Sequence, residues 1–210
     1  MRRRDFLIAV TGFVLAPGAA IGNSEWIDRW WNDTDVHDEP PPDAINPRPS
    51  DVIENNFCDG YLRLKSAVHG ECQDFRFRDK AGRYDAEVLH RLNWFLRCRD
   101  GSWQQMDIKM LETLNYVSAL LGVPQVQVNS GYRSPAYNAR LALTNENVAR
   151  NSLHQYGQAI DFSIPGIPVR DVCSYALYAR NVIGNGGIGY YPRAGFVHLD
   201  SGSTKQWAKI

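Results

Sequence analysis

Apolar residues recur at two different spacings along the chain, and the spacing changes from its first half to its second. Residues 85–98 and 106–122 carry apolar side chains three or four positions apart, which predicts two amphipathic helices. Later stretches are short and rich in β-branched or aromatic residues, which predicts strands. These stretches lie at residues 125–130, 157–164, 186–191 and 195–200. Helices early and strands late indicate an α+β domain whose helices pack on a mainly antiparallel sheet.

Turn and cap residues refine this pattern. Residues 61–85 predict a hairpin that turns at His69 and Gly70. Ser134 followed by Pro135 predicts the cap and the first position of a helix, and residues 168–182 predict a further helix.

The first 22 residues have the pattern of an export signal. A basic start, an apolar stretch over residues 6–15 and a small-residue end are typical of signal peptides, and the arginine pair at its start resembles the twin-arginine type. The apolar stretch is short for a membrane span, with an uncleaved anchor as the alternative. An acidic, proline-rich linker is expected at residues 23–56, followed by a folded domain at residues 57–210.

Charge and cysteine content narrow the functional classes. Lys and Arg together number 23, as do Asp and Glu, so no basic field argues for nucleic acid. Together with the export signal, this composition predicts a protein of the periplasm or cell envelope that does not insert stably into a membrane. The sequence leaves its oligomeric state open. The four cysteines contain no CxxC pair, which favours disulfides or inert thiols over a zinc ribbon or a nucleophile. They are Cys58, Cys72, Cys98 and Cys173.

The chemistry of a metal site is suggested by His154, Asp161 and His198. Asp161 lies in an otherwise apolar strand, where a carboxylate without a partner is costly. Strand periodicity places it opposite Ile160 and Phe162. If the two late strands are neighbours, His198 approaches Asp161 and the preceding loop returns His154 to the same place. Two imidazoles and a carboxylate suit Zn²⁺; a surface histidine near a strand aspartate is the alternative.

Several linked motifs resemble a known enzyme superfamily. "SLHQYGQAIDF" resembles the SxHxxGxAxD motif of the zinc D-Ala-D-Ala carboxypeptidases and their endopeptidase relatives, and "SGYRSPAYNARL" resembles the strand-to-helix motif that precedes it. "GGIGYYPRAGFVHLDSG" and "RLNWFLRCRD" are similar to the YcbK-like murein endopeptidase branch. The resemblance covers residues 61–207. It implies a zinc D-Ala-D-Ala carboxypeptidase-like fold and hydrolysis of peptidoglycan cross-links, D-Ala–diaminopimelate or diaminopimelate–diaminopimelate.

Carried over by position, the resemblance assigns roles to individual residues. It makes His154, Asp161 and His198 the zinc ligands. Arg133 matches the arginine of the SGYR motif, which would bind a substrate carboxylate or stabilise an oxyanion; a surface ion pair is the alternative. The weaker candidates for positioning or binding substrate are Ser130, Asn138 and Ser152. Tyr190 and Tyr191 would line the groove, with a packed aromatic pair as the alternative.

One position departs from many carboxypeptidase relatives. Gly195 stands where those relatives carry a glutamate that serves as general base, although the YcbK-like branch has the same FVHLD form. Asp200 is the first candidate to replace it. Asp200 could act as the general base, or it could bond to the imidazole of His198 and fix its orientation. Glu146 is a remote alternative.

Three other functions use the same features. A D,D- or L,D-carboxypeptidase would trim stem peptides with the same metal site. A non-catalytic cell-wall binding module would keep the fold as structure. A secreted antibacterial toxin would apply the same chemistry to another cell.

Overall fold

Seven strands, four α-helices and one 3₁₀ helix form the described part of the chain, residues 59–146 and 148–209 of a computed structural model. The expected signal peptide, the expected linker and Cys58 lie outside the described residues. The strands are β1 (Tyr61–Ser66), β2 (Cys72–Arg76), β3 (Val126–Ser130), β4 (Ala159–Ser163), β5 (Gly187–Tyr191), β6 (Phe196–Asp200) and β7 (Lys205–Ala208). The helices are α1 (Ala86–Phe95), α2 (Ile108–Leu120), α3 (Pro135–Thr144) and α4 (Val169–Ile183), with the 3₁₀ helix at Leu153–Tyr156.

The strands form one mixed sheet in the order β2-β1-β3-β4-β6-β5-β7. β1 runs parallel to β3 and β5 runs parallel to β7, while the other neighbours are antiparallel. The α+β class is therefore confirmed, but the expected mainly antiparallel sheet is corrected to a mixed one. Turn residues predict only local hairpins, which are antiparallel, whereas the parallel pairs join strands that other elements separate along the chain.

The predicted hairpin and helix starts have clear local causes. β1 and β2 pair antiparallel, as the sequence predicts. Asp85 and Asp107 accept hydrogen bonds from backbone amides at the starts of α1 and α2. Ser134 accepts from the Tyr137 amide, and Pro135 occupies the first turn of α3, which confirms that prediction.

The hydrophobic core lies on one face of the sheet, where α2 and α4 pack against each other and against the strands. Ile160 and Phe162 of β4 are fully buried there, together with Val197 and Leu199 of β6. Because side chains alternate along a strand, the intervening residues of β4 and β6 point to the opposite face. The core thus fixes the orientation of both strands and, with it, the polar side chains between the apolar ones.

The described cysteines are free thiols rather than disulfides. Cys98 and Cys173 are buried, and burial raises the pKa of the Cys173 thiol, which makes it an inert side chain. Cys72 is exposed beside the amide of Gln125. Within residues 59–146 and 148–209, no helix combines the length and the apolar character that crossing a bilayer requires.

Candidate metal centre

One row of residues crosses five neighbouring strands and forms the floor of the site. Asp161 pairs with Ser130 on one side and with His198 on the other. His198 pairs with Gly189, which pairs in turn with Trp207. An irregularity of β3 between Val128 and Ser130 shifts the register, as β-bulges commonly do where a side chain must be re-aimed. The prediction that β4 and β6 are neighbours and bring His198 to Asp161 is confirmed.

His154 reaches this row from the 3₁₀ helix. Gly157 ends that helix with φ +69°, and a Cβ atom there would lie 2.2 Å from the Gln105 carbonyl oxygen. A side chain at this position would therefore be strained and would also clash. The turn holds His154, only 1% exposed, so that its Nδ1–H donates to the Gly131 carbonyl at 2.7 Å.

The remaining nitrogen of each imidazole faces Asp161. In His154, Nδ1 is taken by the Gly131 carbonyl, so a neutral ring presents the lone pair of Nε2, which lies 3.1 Å from Asp161 Oδ1. In His198, Nε2 faces the Asp200 carboxylate at 3.2 Å, so a neutral ring presents the lone pair of Nδ1. This atom lies 2.8 Å from Asp161 Oδ1. Three acceptor atoms then converge without a proton between them, an arrangement that a cation satisfies.

The spacing of these three atoms fits a tetrahedral zinc site. His154 Nε2 and His198 Nδ1 are 3.3 Å apart, and Asp161 Oδ1 is 3.1 and 2.8 Å from them. Ligand bonds of about 2.0–2.1 Å at tetrahedral angles put neighbouring ligand atoms roughly 3.3 Å apart. Two imidazole nitrogens and one carboxylate oxygen could hold a metal ion, and three such protein ligands are the number that catalytic zinc sites use.

The electrostatics of the cluster attract positive charge. Burial lowers the pKa of His154 and keeps it neutral despite the nearby Asp161 carboxylate. Burial alone would raise the pKa of Asp161, but its interactions with the two histidines and the positive charge of Arg133 outweigh burial and hold this pKa well below its ordinary value. Burial also disfavours a charged His198, but Asp161 and Asp200 outweigh it and raise the pKa of His198. A proton and a metal ion would therefore compete for the space between His154, Asp161 and His198.

Arg133 stands beside the cluster and is held in a fixed direction. Its Nη2 donates to Asp161 Oδ2, the carboxylate oxygen that faces away from the imidazoles, and its Nε donates to Ser130 Oγ at 2.7 Å. The backbone amide of Arg133 donates to the His154 carbonyl at 3.1 Å. The predicted residues Arg133 and Ser130 therefore meet the three predicted ligands at one place. The guanidinium is partly buried and pairs with a buried carboxylate, so this ion pair is not a fully exposed surface salt bridge.

Asp200 is buried behind His198 and is fully engaged. Its Oδ1 accepts from the amides of Gly187 and Gly202 at 2.9 and 2.8 Å, and its Oδ2 faces His198 Nε2. A Cβ atom at Gly187 would lie 2.3 Å from Asp200 Oδ2, so the glycine permits this close packing. Asp200 is 2% exposed and touches the ring nitrogen of His198 that faces away from the cluster. This geometry suits a group that fixes the imidazole.

Four predicted residues have no contact with the cluster within residues 59–146 and 148–209. Asn138 is buried and donates its amide to the carbonyls of Ala149 and Arg150, which anchors the loop after α3. Ser152 precedes the 3₁₀ helix without a side-chain cap bond. Glu146 is exposed in the turn after α3. Tyr190 packs against the core, on the face opposite His198, which corrects its expected place in the groove.

Two aromatic residues lie beside the cluster: Tyr191, which the sequence offered with Tyr190 as a groove residue, and Trp207, which was not predicted. Trp207 lies beside His198 with ring centroids 5.2 Å apart, and its Nε1 donates to the Tyr191 hydroxyl at 2.9 Å. Tyr191 lies on the face of β5 that carries the site, stacked on Phe196. A Cβ atom at Gly189 would meet the Trp207 ring at 2.7 Å, so the sequence signal was a glycine opposite a strand tryptophan.

The local backbone explains why a glycine, and not a glutamate, stands at position 195. Gly195 has φ +76° in the turn between β5 and β6, and its amide donates to the Tyr191 carbonyl at 2.9 Å. A glutamate with this backbone conformation would be strained. The turn between the two strands therefore favours glycine at this position.

Comparisons with known proteins agree with this geometry. A peptidase M15 family model described as "Peptidoglycan L,D-endopeptidase MepK" matches residues 59–207. The chain is 37% identical over 166 residues to Peptidoglycan L,D-endopeptidase MepK of Escherichia coli K12, which covers 78% of this chain and 88% of that protein. The protein of the same name from Shigella flexneri matches to the same extent. The probable Peptidoglycan L,D-endopeptidase MepK of Haemophilus influenzae is 35% identical over 130 residues, 60% of this chain and 68% of that protein.

Proposed function

Because the chain belongs to the Peptidoglycan L,D-endopeptidase MepK family of M15 peptidases, we propose that it is an exported, zinc-dependent endopeptidase that hydrolyses stem-peptide cross-links of peptidoglycan. The observation that carries the zinc dependence is the convergence of three lone-pair atoms, from His154, Asp161 and His198, with both outer imidazole nitrogens already bonded. The family name favours a bond between an L and a D centre, as in diaminopimelate–diaminopimelate cross-links.

His154, Asp161 and His198 would hold the zinc ion, and the rest of the site would orient the substrate. When bound, zinc supplies Lewis-acid polarisation of the scissile carbonyl and lowers the pKa of a water molecule. The Arg133 guanidinium, fixed by Ser130 and Asp161, directs positive charge toward the place where oxyanion charge develops. Trp207 and Tyr191 form an apolar wall beside His198, which restricts water on that side.

Asp200 acts as a positioning residue in this proposal. By accepting the Nε2–H of His198, it fixes the tautomer that leaves Nδ1 free for the metal. Asn138, Ser152 and Tyr190 are not expected to bind the substrate. Other contacts hold Asn138 and Tyr190, and among the residues that the structure describes no contact joins Ser152 to the cluster.

Export follows from the first 22 residues rather than from the fold. We propose that they direct the chain to the periplasm or cell envelope by the twin-arginine route and that residues 23–56 link them to the enzyme domain. Peptidoglycan lies in that compartment, so the location and the substrate agree.

The proposed reaction is tested by mass spectrometry of muropeptides. Purified protein with zinc is expected to convert cross-linked dimers into monomers, a chelator is expected to stop this conversion, and added zinc is expected to restore it. Loss of a single terminal residue would instead identify a carboxypeptidase. Binding to murein without any hydrolysis, with or without chelator, would identify a binding module.

Asp200→Asn separates the two roles left open for this residue. The asparagine amide would donate to His198 Nε2, which forces the proton to Nδ1 and opposes metal binding. We expect zinc affinity to fall by about 10–100-fold, with activity largely recovered at saturating zinc. The measurement is activity against free zinc concentration. Asp74→Asn, which alters an exposed carboxylate paired with Arg63, is the control. Activity that stays low at saturating zinc would indicate a general base instead.

A further inference from the structure

A cavity of about 150 Å³ adjoins the metal centre on the side of Arg133. Ser130, Gly131 and Arg133 form the wall that the cavity shares with the cluster, since the Gly131 carbonyl accepts from His154 and Arg133 donates to Asp161. A substrate whose scissile carbonyl lies at the cluster would extend a neighbouring group into this space.

The opposite wall of the cavity is the segment that follows α1. This segment can approach Gly131 closely because glycine has no side chain. A Cβ atom at Gly131 would lie 2.4 Å from the Leu96 carbonyl oxygen. That same carbonyl accepts from the Tyr132 amide at 2.8 Å. Arg97 and Arg99 of this segment both line the cavity.

Hydrogen bonds hold the turn that carries Arg99 through both of the residues next to it, Cys98 and Asp100. Its neighbour Cys98 donates its amide to the Ser102 carbonyl at 2.8 Å and accepts from the Gly101 amide at 3.0 Å. Asp100 accepts from the hydroxyls of Ser102 and Ser134, which ties the turn to the first turn of α3. The backbone of Arg99 is therefore placed in advance of substrate, which reduces the ordering cost of binding.

The residues that line the cavity carry positive charge. Three arginines line it, and none of the described residues in its lining is acidic. Arg97 is neutralised by Glu71 at 2.5 Å, and Arg133 by Asp161. The Asp100 carboxylate beside the cavity keeps its negative charge, but it does not line the cavity and is held by the hydroxyls of Ser102 and Ser134. Arg99 is exposed, and no hydrogen bond or ion pair joins its side chain to residues 59–146 or 148–209.

We propose that this cavity is a carboxylate subsite in which Arg99 binds the free carboxylate next to the scissile bond of the cross-link. The inference rests on the proposed function, since it names the substrate group that the same site selects. A guanidinium matches a carboxylate with two parallel hydrogen bonds, and Asn129 adds a polar amide to the lining. Arg99 is a specificity-determining residue in this account, while Arg133 remains at the cluster.

The test compares two muropeptide dimers that differ only in whether the free diaminopimelate carboxyl group next to the cross-link is a carboxylate or an amide. The wild-type enzyme is expected to cleave the carboxylate dimer with kcat/KM roughly tenfold to hundredfold higher, mainly through KM. Arg99→Gln is expected to lose most of this preference, with little change toward the amidated dimer. Arg91→Gln, which removes an exposed arginine of α1 outside the cavity, is expected to keep it.

The outcomes separate the subsite from the function. Equal cleavage of both dimers by the wild type, or a preference that survives Arg99→Gln, overturns the subsite and leaves the endopeptidase intact. A wild type that cleaves neither dimer with zinc present overturns both. A structural role for Arg99 would lower activity toward both dimers alike, and that result also overturns the subsite.

Discussion

His154→Ala is expected to reduce the release of monomers from cross-linked muropeptides to the background rate, about 10³-fold or more below the wild type. His154 supplies one of the three converging atoms of the candidate metal centre. Its loss leaves two protein ligands, one fewer than catalytic zinc sites use. A metal ion stabilises the charge of the transition state by several kcal/mol, and losing this stabilisation corresponds to the expected change in rate. The measurement pairs muropeptide mass spectrometry with the zinc content of the purified protein.

Two further variants make this result specific. His90→Ala removes an exposed imidazole that packs on Trp103, and it is expected to keep both zinc and activity. His154 is buried, so its alanine variant could also lose stability. His154→Asn retains an amide N–H that can donate to the Gly131 carbonyl while removing Nε2. A folded His154→Asn protein with wild-type activity would contradict the metal centre.

The centre was predictable because its residues break a local pattern. Asp161 is a carboxylate between Ile160 and Phe162, both fully buried, and His198 occupies the corresponding place between Val197 and Leu199. Alternation along each strand assigned both polar side chains to one face. The core orients that face. Two steps were missing, the pairing of β4 with β6 and the turn that returns His154 to them, and the structure supplies both.

Other features depended on contacts that local patterns do not contain. The parallel pairing of β5 with β7 places Trp207 beside His198, yet residues 205–208 carry no turn or alternation strong enough to predict a strand. Tyr190 and Tyr191 are adjacent in sequence, so a shift of one residue decides which of them faces the site. The role of Asp200 likewise depends on the amides of Gly187 and Gly202, which meet only in the folded chain.

Arg133→Lys is expected to lower kcat by about 10²-fold while leaving KM and zinc content close to those of the wild type. A lysine keeps the positive charge but lacks the planar fork that lets Arg133 contact Ser130 and Asp161 together. A group that interacts with charge formed only in the transition state changes kcat rather than KM. Steady-state kinetics on a cross-linked dimer, with metal analysis of the same samples, measure both quantities.

The kinetic pattern decides between the two roles that the sequence left open for Arg133. A rise in KM with kcat unchanged would show that it binds a substrate carboxylate, and oxyanion stabilisation would then be wrong. Arg83→Lys is the matched control, because it makes the same replacement in an arginine–aspartate pair, with Asp79, at an exposed position. Since exposed pairs contribute about 0–1 kcal/mol, the control is expected to leave kcat, KM and zinc content unchanged. A loss of kcat confined to Arg133→Lys would therefore arise from the guanidinium geometry at the cluster and not from replacing an arginine in an ion pair as such.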